Sequence, residues 1–175
     1  DLHSTSRRQR QMCIRDRVMN YTIRTMKKQE FPLLEDFLYE AIFIPEGMEV
    51  PPRSVISLPE LQTYIKDFGL LKDDFALVAE IEKQIVGAVW VRIINDYGHI
   101  DSSTPSLAIS LYKDYRKHGI GIAMMKEMLN LLRNHGYKSV SLSVQKANYA
   151  AKMYQKLGFK IVNENKDEWI MICHL

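Results

Sequence analysis

The sequence predicts a single α/β domain, of the α+β type, with seven strands and about four helices. Short segments in which apolar and polar residues alternate predict strands, and longer segments with apolar residues at i, i+3 and i+4 predict amphipathic helices. The predicted elements follow one another in the order β-α-α-β-β-β-α-β-α-β-β. A glycine-containing loop at 113–121 joins a predicted strand to a predicted helix. At 175 residues, the chain suits one domain with a sizeable core.

The composition argues against several function classes. Apolar residues make up 46% and charged residues 26% of the chain, as in ordinary soluble domains. No apolar run approaches the length that spans a bilayer, so we expect no membrane partner. Cys13 and Cys173 lie far apart and have no metal-ligand spacing. This pattern predicts no metal site and a reducing, cytoplasmic location.

The positive charge of the chain is concentrated in residues 1–18, which hold five arginines and two aspartates. The other 157 residues therefore carry equal numbers of basic and acidic side chains, and we expect no nucleic-acid partner. Residues 1–18 lack the hydrophobic centre of a signal peptide. We expect an artefactual or disordered leader at 1–18 and one domain over 19–175, with Met19 as the natural start. The alternative, a basic arm for nucleic acid, predicts affinity that vanishes when 1–18 are removed.

The first half of the chain begins with an alternating segment at 20–25, which predicts a strand. Apolar residues at helical spacing predict a helix over 31–44. The following loop, 45–59, is rich in proline, and it either sets specificity or merely crosses the fold. A second short helix is predicted over 58–68, closed by Gly69.

The second half begins with a hairpin, in which Gly87 predicts a bulge or a close backbone approach. Gly136 and Gly158 are placed to end the last two helices, and Asn148 is placed to begin the fourth. The strand before the third helix and the strand after it should be parallel, joined by a right-handed crossover. The predicted elements are strands 75–81, 85–94, 107–112, 138–144, 160–162 and 169–173, and helices 120–135 and 148–157.

The loop before the third helix carries the pattern Arg-x-x-Gly-x-Gly at Arg116, Gly119 and Gly121. A helix N-terminus presents free N–H groups and the positive end of its dipole, and glycine lets a phosphate approach closely. Basic side chains such as Lys117 add charge-assisted donors. The pattern is neither a P-loop nor a G-x-G-x-x-G motif, because Met124 stands where the third glycine would be. The loop is therefore a candidate anion site.

This pattern resembles the pyrophosphate-binding signature of the GNAT superfamily of N-acetyltransferases. Two further motifs match the superfamily in order and spacing: Asn148 followed by Tyr154, and Leu-Gly-Phe at 157–159. The resemblance covers residues 20–175. The turn at 112–115 departs from it, because a proline is common there. The resemblance implies a mixed, mostly antiparallel seven-stranded sheet, flanked by about four helices, with a splayed parallel strand pair.

The resemblance also implies acetyl-CoA as co-substrate. Its pantetheine arm would enter the gap between the splayed strands and pair with the backbone of Ile109, Leu111 and Tyr112. Its pyrophosphate would lie on the loop and the start of the third helix, with Asn148 as a further contact. The residues implied for the pyrophosphate are Arg116, Lys117, His118, Gly119, Ile120, Gly121 and Ile122.

Tyr154 is the catalytic residue that the resemblance implies. A phenol with a pKa of about 10 can donate a hydrogen bond or a proton to a leaving thiolate. The alternative is a helix tyrosine that only packs on the sheet. The superfamily often uses a carboxylate as general base, but strand residues 105–112 include no acid. The candidates are Asp101, His99, Asp96 and Glu80, and a water chain without a dedicated base is an equal alternative.

These observations favour an acetyl-CoA-dependent N-acetyltransferase that acts on a primary amine by direct attack in a ternary complex. Neither cysteine is placed for a covalent acyl intermediate. The acceptor is an amine of a small molecule or a peptide, and the acids Glu46, Glu49, Asp96 and Asp101 favour a basic one. A homodimer is compatible with the resemblance. The alternative function is a non-catalytic acyl-CoA-binding sensor or partner domain.

Overall fold

The computed structural model describes residues 19–94 and 99–175, so the expected leader and Asp96 lie outside the described residues. Seven strands form one sheet in the order β1-β2-β3-β4-β5-β7-β6. All neighbours are antiparallel except β4 and β5, which confirms the predicted mixed sheet with one parallel pair. The strands are β1 (Thr22–Thr25), β2 (Phe75–Ile81), β3 (Gln84–Arg92), β4 (Ser106–Leu111), β5 (Ser139–Gln145), β6 (Lys160–Glu164) and β7 (Glu168–His174).

Within the described residues, four α-helices appear at the predicted places in the chain order. They are α1 (Leu34–Ala41), α2 (Pro59–Gln62), α3 (Ile120–Asn134) and α4 (Ala150–Lys156). Three 3-10 helices accompany them, at Lys28–Leu33, Arg53–Ser57 and Lys113–Tyr115. No helix within 19–94 or 99–175 is both long and apolar enough to cross a bilayer.

The first two helices are shorter than predicted. The first three residues of the predicted first helix form part of a 3-10 helix, and α1 ends before Ile42, whose backbone is extended. The predicted second helix, 58–68, is helical only as far as Gln62. The chain then continues in turns, and the buried guanidinium of Arg92 binds the carbonyls of Thr63 and Lys66 there at 3.1 and 2.7 Å.

The sheet is covered on both faces. Helices α3 and α4 pack on one face, against side chains that include Val89 and Leu107. Helix α1 and the segment 56–68 pack on the other face, against side chains that include Ala88 and Trp90. This arrangement explains why β3 is a continuous apolar run: both of its faces are buried.

The glycines predicted to end the last two helices do so. Gly136 and Gly158 adopt positive φ angles of 83° and 101°. The N–H of Tyr137 donates to Leu132, and the N–H of Phe159 donates to Tyr154, which closes the last turn of each helix. The predicted stops at Gly136 and Gly158 are confirmed.

Gly87 combines a bulge with a close approach, as predicted. Ala79 pairs with Gly87 but Glu80 pairs with Ile85, which leaves Val86 as the extra residue. A Cβ built at Gly87 would collide with Cδ2 of Leu111 and lie 3.1 Å from Met124 Cε. The bare Gly87 Cα therefore makes room for the last side chain of β4.

The parallel pair splays after one register pair. Ser106, the first residue of β4, pairs with Ser141 of β5, and the Ser141 N–H donates to the Pro105 carbonyl at 3.0 Å. Beyond Ser106, the ladder between the two strands ends, while β5 continues along β7 as far as Gln145. A gap thus opens between β4 and β5 toward the end of β4 that leads into the glycine loop.

Candidate active site

The glycine loop brings the chain from the end of β4 to the start of α3. The 3-10 helix Lys113–Tyr115 turns the chain, and Lys117 and Gly119 then adopt left-handed φ angles of 64° and 82°. Gly119 is the N-cap residue of α3 and provides no side-chain cap. The first intrahelical bond runs from the Ala123 N–H to the Gly119 carbonyl at 3.2 Å.

The amides of 120–122 precede that bond, so they are the unpaired donors of the helix N-terminus. Among the residues that the structure describes, no acceptor is found for these three N–H groups. A Cβ at Gly119 would meet nothing within 4 Å, so the loop is open at this point. The loop therefore combines an uncapped helix start with open space, which is the geometry that an anion site requires.

Gly121 lies where β4, α3 and α4 meet. A Cβ at this position would lie 3.7 Å from Cδ1 of Leu111 and 4.0 Å from Sδ of Met153. Leu111 ends β4, and Met153 precedes Tyr154 on α4. The structure thus brings the predicted phosphate loop, the end of β4 and the helix that carries Tyr154 to one place.

The edge of β4 beside the gap presents the backbone of Ile109 and Leu111. In an antiparallel ladder, alternate residues direct their N–H and C=O groups to opposite sides. Tyr112 donates its N–H to Val86 of β3 at 3.0 Å, so Ile109 and Leu111 direct theirs away from β3, toward β5. The expectation that the Tyr112 backbone would join them is corrected: its N–H serves β3, and its carbonyl accepts from the Tyr115 N–H.

Arg116 is bound on two sides by the protein. Its Nε donates to the Leu111 carbonyl at 2.9 Å. Its Nη2 donates to the Glu40 carboxylate at 3.0 Å and to the Glu40 carbonyl at 3.3 Å. The Arg116 side chain is nevertheless 40% exposed. Lys117 and His118 are exposed beside it.

Tyr154 is buried on α4, within the core cluster between the sheet and α3. Only 8% of the residue is exposed, and its ring centroid lies 5.9 Å from that of Phe159. Burial raises the pKa of Tyr154 to about 12. In the described part of the chain, no hydrogen-bond partner is found for its hydroxyl, which leaves this donor available.

Asn148 lies between β5 and α4. Its Oδ1 accepts the N–H of Ala150 at 2.9 Å, and its own N–H donates to Gln145 at 2.8 Å. The side chain therefore supports the start of α4, one residue before the assigned N-cap, Tyr149. Asn148 therefore caps the start of α4 from one position earlier than a standard N-cap residue, and its Oδ1 is occupied by the Ala150 N–H.

A model of the acetyltransferase (GNAT) family matches residues 39–159, which is more than half of the chain. The chain belongs to the GNAT acetyltransferase family.

Curated relatives match part of this GNAT chain. N-acetyltransferase family 8 member 3 of Mus musculus is 33% identical over 88 residues, which are 50% of this chain and 39% of that protein. N-alpha-acetyltransferase 50 of Danio rerio is 30% identical over 96 residues, 54% of this chain and 56% of that protein. The chain thus spans 37% to 39% of the length of the first curated relatives it matches.

Solved structures share the GNAT fold. The PaiA N-acetyltransferase of Thermoplasma acidophilum, crystallised in complex with coenzyme A, aligns with a TM-score of 0.64 and 19% identity, over 90% of this chain and 100% of that one. A GNAT-family acetyltransferase of Streptococcus pneumoniae aligns with a TM-score of 0.64 and 19% identity, over 89% of this chain and 99% of that one. The predicted family and fold class are confirmed.

The three described candidates for the general base do not lie at the glycine loop. Asp101 and His99 precede β4, so they lie on the side of that strand opposite the glycine loop, and a six-residue strand is about 20 Å long. Two hydrogen bonds from Ser103 lower the pKa of Asp101. His99 Nδ1 lies 2.8 Å from the Ile94 carbonyl, so Nδ1 carries the proton. Glu80 accepts a hydrogen bond from Arg24 at 2.7 Å, two strands away from β4.

The sequence patterns did not predict the side chains that α1 places against the end of β4. The Tyr112 ring lies 4.9 Å from that of Phe37, and the Ser110 hydroxyl donates to the Phe37 carbonyl at 2.6 Å. Burial, and then the carboxylates of Asp36 and Glu40, raise the pKa of Tyr112. One signal was available: Ser110 is a buried polar residue in an apolar strand, and such a hydroxyl needs a partner.

Proposed function

We propose that this GNAT protein is an acetyl-CoA-dependent N-acetyltransferase that transfers the acetyl group to a primary amine by direct attack in a ternary complex. One observation carries the proposal. The outward backbone of Ile109 and Leu111 borders a gap that opens beside the uncapped amides of α3. A linear ligand with an anionic end and an amide-containing arm suits such a site.

The anionic end suits the amides of 120–122. They offer backbone donors and the positive end of the helix dipole, which together favour a diphosphate. Lys117 and Arg116 add positive charge at the loop. The arm of acetyl-CoA contains amides that could pair with Ile109 and Leu111 as an added strand does. Arg116 leaves most of this edge free, since on β4 it occupies only the Leu111 carbonyl.

The reaction itself is an exchange of one bond for another. The amine nitrogen bonds to the thioester carbonyl carbon, the C–S bond breaks, and the proton released by the amine ends on the thiol of CoA. An N–H of β4 that faces the gap can stabilise the negative charge that develops on the carbonyl oxygen. Loss of one such donor typically costs about 2.7–4 kcal/mol of barrier, so this contribution is large.

Tyr154 is proposed as a hydrogen-bond donor to the leaving sulfur. Its pKa of about 12 keeps the phenol protonated at neutral pH. A thiol has a pKa of about 8.5, so complete proton transfer from the phenol to the thiolate is uphill. Donation of a hydrogen bond, which weakens the charge on sulfur, is therefore the role that the Tyr154 phenol can perform. The Tyr154 phenol keeps its proton, and the thiolate takes up the proton that the amine releases, by way of water.

A screen of amine acceptors that follows release of the free CoA thiol tests the proposal. We expect thiol release that depends on the amine, with acetylated amine as the second product. Tight binding of acetyl-CoA without thiol release from any amine would support the acyl-CoA sensor instead. Failure to bind acetyl-CoA at all would contradict both functions.

A further inference from the structure

Glu40 links α1 to the phosphate loop through a single side chain. Glu40 is the residue before the last of α1, and Arg116 follows the end of β4 by five residues. The two are 76 residues apart in the chain, yet Arg116 Nη2 binds both the carboxylate and the main-chain carbonyl of Glu40. The carbonyl belongs to the last turn of α1, where a cation is favoured by the helix dipole.

The hydrogen bonds of Arg116 show which of its N–H groups remain available to a ligand while it is paired with Glu40. A guanidinium has five N–H groups in a fixed planar fork. Nε serves the Leu111 carbonyl, and the two N–H groups of Nη2 serve Glu40. The two N–H groups of Nη1 have no acceptor among the residues that the structure describes. Arg116 can therefore keep all its protein contacts and still offer one edge to an anion.

We propose that Glu40 is a positioning residue of the coenzyme site, which fixes Arg116 so that the Nη1 edge binds the diphosphate. This inference rests on the proposed function, because it takes acetyl-CoA as the ligand. Without the Glu40 carboxylate, the long Arg116 side chain keeps only carbonyl contacts and regains rotamer freedom, which it must lose again on binding. Helix α1 thereby becomes part of the coenzyme site.

Whether substitution of Glu40 weakens or tightens coenzyme binding distinguishes a positioning role from a purely electrostatic one. A carboxylate close to a diphosphate repels it, by about twofold in affinity for charges 8 Å apart in water. If charge alone mattered, both Glu40→Ala and Glu40→Gln would tighten binding. If Glu40 positions Arg116, Glu40→Ala weakens binding, whereas Glu40→Gln retains an oxygen acceptor and preserves it. Glu40→Asp keeps the charge but withdraws the carboxylate, so it should weaken binding too.

Calorimetric titration of coenzyme A into the wild type and these variants tests the proposal. We expect Glu40→Ala and Glu40→Asp to raise the Kd three- to tenfold, with Glu40→Gln within twofold of wild type. Glu35→Ala is the matched control, because it removes an exposed carboxylate from the same helix. Pantetheine, which lacks the diphosphate, should bind the wild type and Glu40→Ala equally. In an Arg116→Ala background, loss of the Glu40 carboxylate should not weaken binding further, and it should tighten binding by at most about twofold through the lost repulsion.

The outcomes separate the inference from the proposed function. If the wild type does not bind coenzyme A, the proposed function fails and the inference fails with it. If the wild type binds it and Glu40→Ala binds equally or more tightly, only the inference is overturned. If Glu40→Ala weakens pantetheine as strongly as coenzyme A, the role of Glu40 is structural and the inference is again overturned. Should Glu40→Ala fail to fold, Glu40→Asp and Glu40→Gln decide by the same comparison.

Discussion

Gly87 of β3 lies opposite Leu111 of β4, and the bare Cα of Gly87 accommodates the Leu111 side chain. A Cβ at Gly87 would come within 3.0 Å of Leu111 Cγ and 3.1 Å of Met124 Cε, and it would overlap Leu111 Cδ2. Leu111 is also the residue whose carbonyl holds Arg116 and whose side chain lies against Gly121. The packing at Gly87 therefore supports the position of β4 at the candidate site.

Replacement of Gly87 by alanine should displace Leu111. Overpacking of this kind typically costs about 1–3 kcal/mol, so we expect a loss of that size in the free energy of unfolding. Affinity for coenzyme A should fall with it. Gly121→Ala is the control for stability alone, because its Cβ would meet the nearest atoms at ordinary distances of 3.7 and 4.0 Å. Urea denaturation compares the two variants, and a Gly87→Ala variant as stable as Gly121→Ala would contradict this account.

Tyr154→Phe should impair turnover and leave binding intact. The ring stays in the core, while the donor to the leaving sulfur is lost, so we expect turnover to slow by about 10²-fold or more. The Kd for coenzyme A should stay within twofold of wild type. Tyr149→Phe is the control: Tyr149 adjoins the same helix but is 78% exposed, so its loss should change neither quantity. A Tyr154→Phe enzyme with normal kcat would remove Tyr154 from the mechanism.

The same burial predicts how stability changes in alkali. Burial raises the pKa of Tyr154 from 10.0 to about 12, so between these pH values the unfolded chain loses the proton first. The free energy of unfolding should therefore be unaffected by this group below pH 10 and fall as the pH rises above it, by about 2 kcal/mol near pH 11.5. This fall in the free energy of unfolding should be absent from Tyr154→Phe. Urea denaturation at pH 9 and pH 11.5 measures the change in the free energy of unfolding. An equal change in the wild type and in Tyr154→Phe would contradict this prediction.

Glu80→Gln should leave catalysis unchanged. Glu80 is engaged by Arg24, which also binds Glu30, so it is held two strands away from β4. We expect turnover within twofold of wild type and a loss of about 1 kcal/mol in the free energy of unfolding, since the pair is partly exposed. Assays at saturating acetyl-CoA and urea denaturation report the two effects. Turnover slowed by about 10²-fold or more would restore Glu80 as general base.

The elements that the sequence predicts well depend on local chemistry. Gly136 and Gly158 end helices because each residue is itself in the left-handed region, and the bonds that close the turns come from neighbours in the chain. The glycine loop is equally local: the uncapped start of α3 follows from Gly119 as N-cap. Such features can be read from a few adjacent residues.

The parts that the sequence could not predict depend on contacts between distant residues. The second helix stops at Gln62, and the turns that follow it place the carbonyls of Thr63 and Lys66 on Arg92, which is held by Asp74. The Tyr112 backbone is committed to β3, because its N–H continues the β3–β4 ladder and donates to the Val86 carbonyl. No pattern near these positions indicates either partner.

The orientation of Arg116 is a third such case. Its motif predicts a cation beside the loop, but its partner Glu40 lies 76 residues away on α1. The rest of α1 is separated from the end of β4 by a similar distance in sequence. For the same reason, the contacts of α1 with Tyr112 could not be predicted. For this site, the backbone geometry was readable in the sequence and the side-chain network was not.

Amide NMR spectra recorded during a titration with coenzyme A test the central claim most directly, which is that the coenzyme binds along β4 with its diphosphate on the start of α3. We predict that the largest shifts fall on the amides of 117–122 and of Ile109 and Leu111, while Gly136, beyond the other end of α3, stays unmoved. Saturable binding whose largest shifts lie elsewhere, with the amides of 119–122 unchanged, would contradict the account.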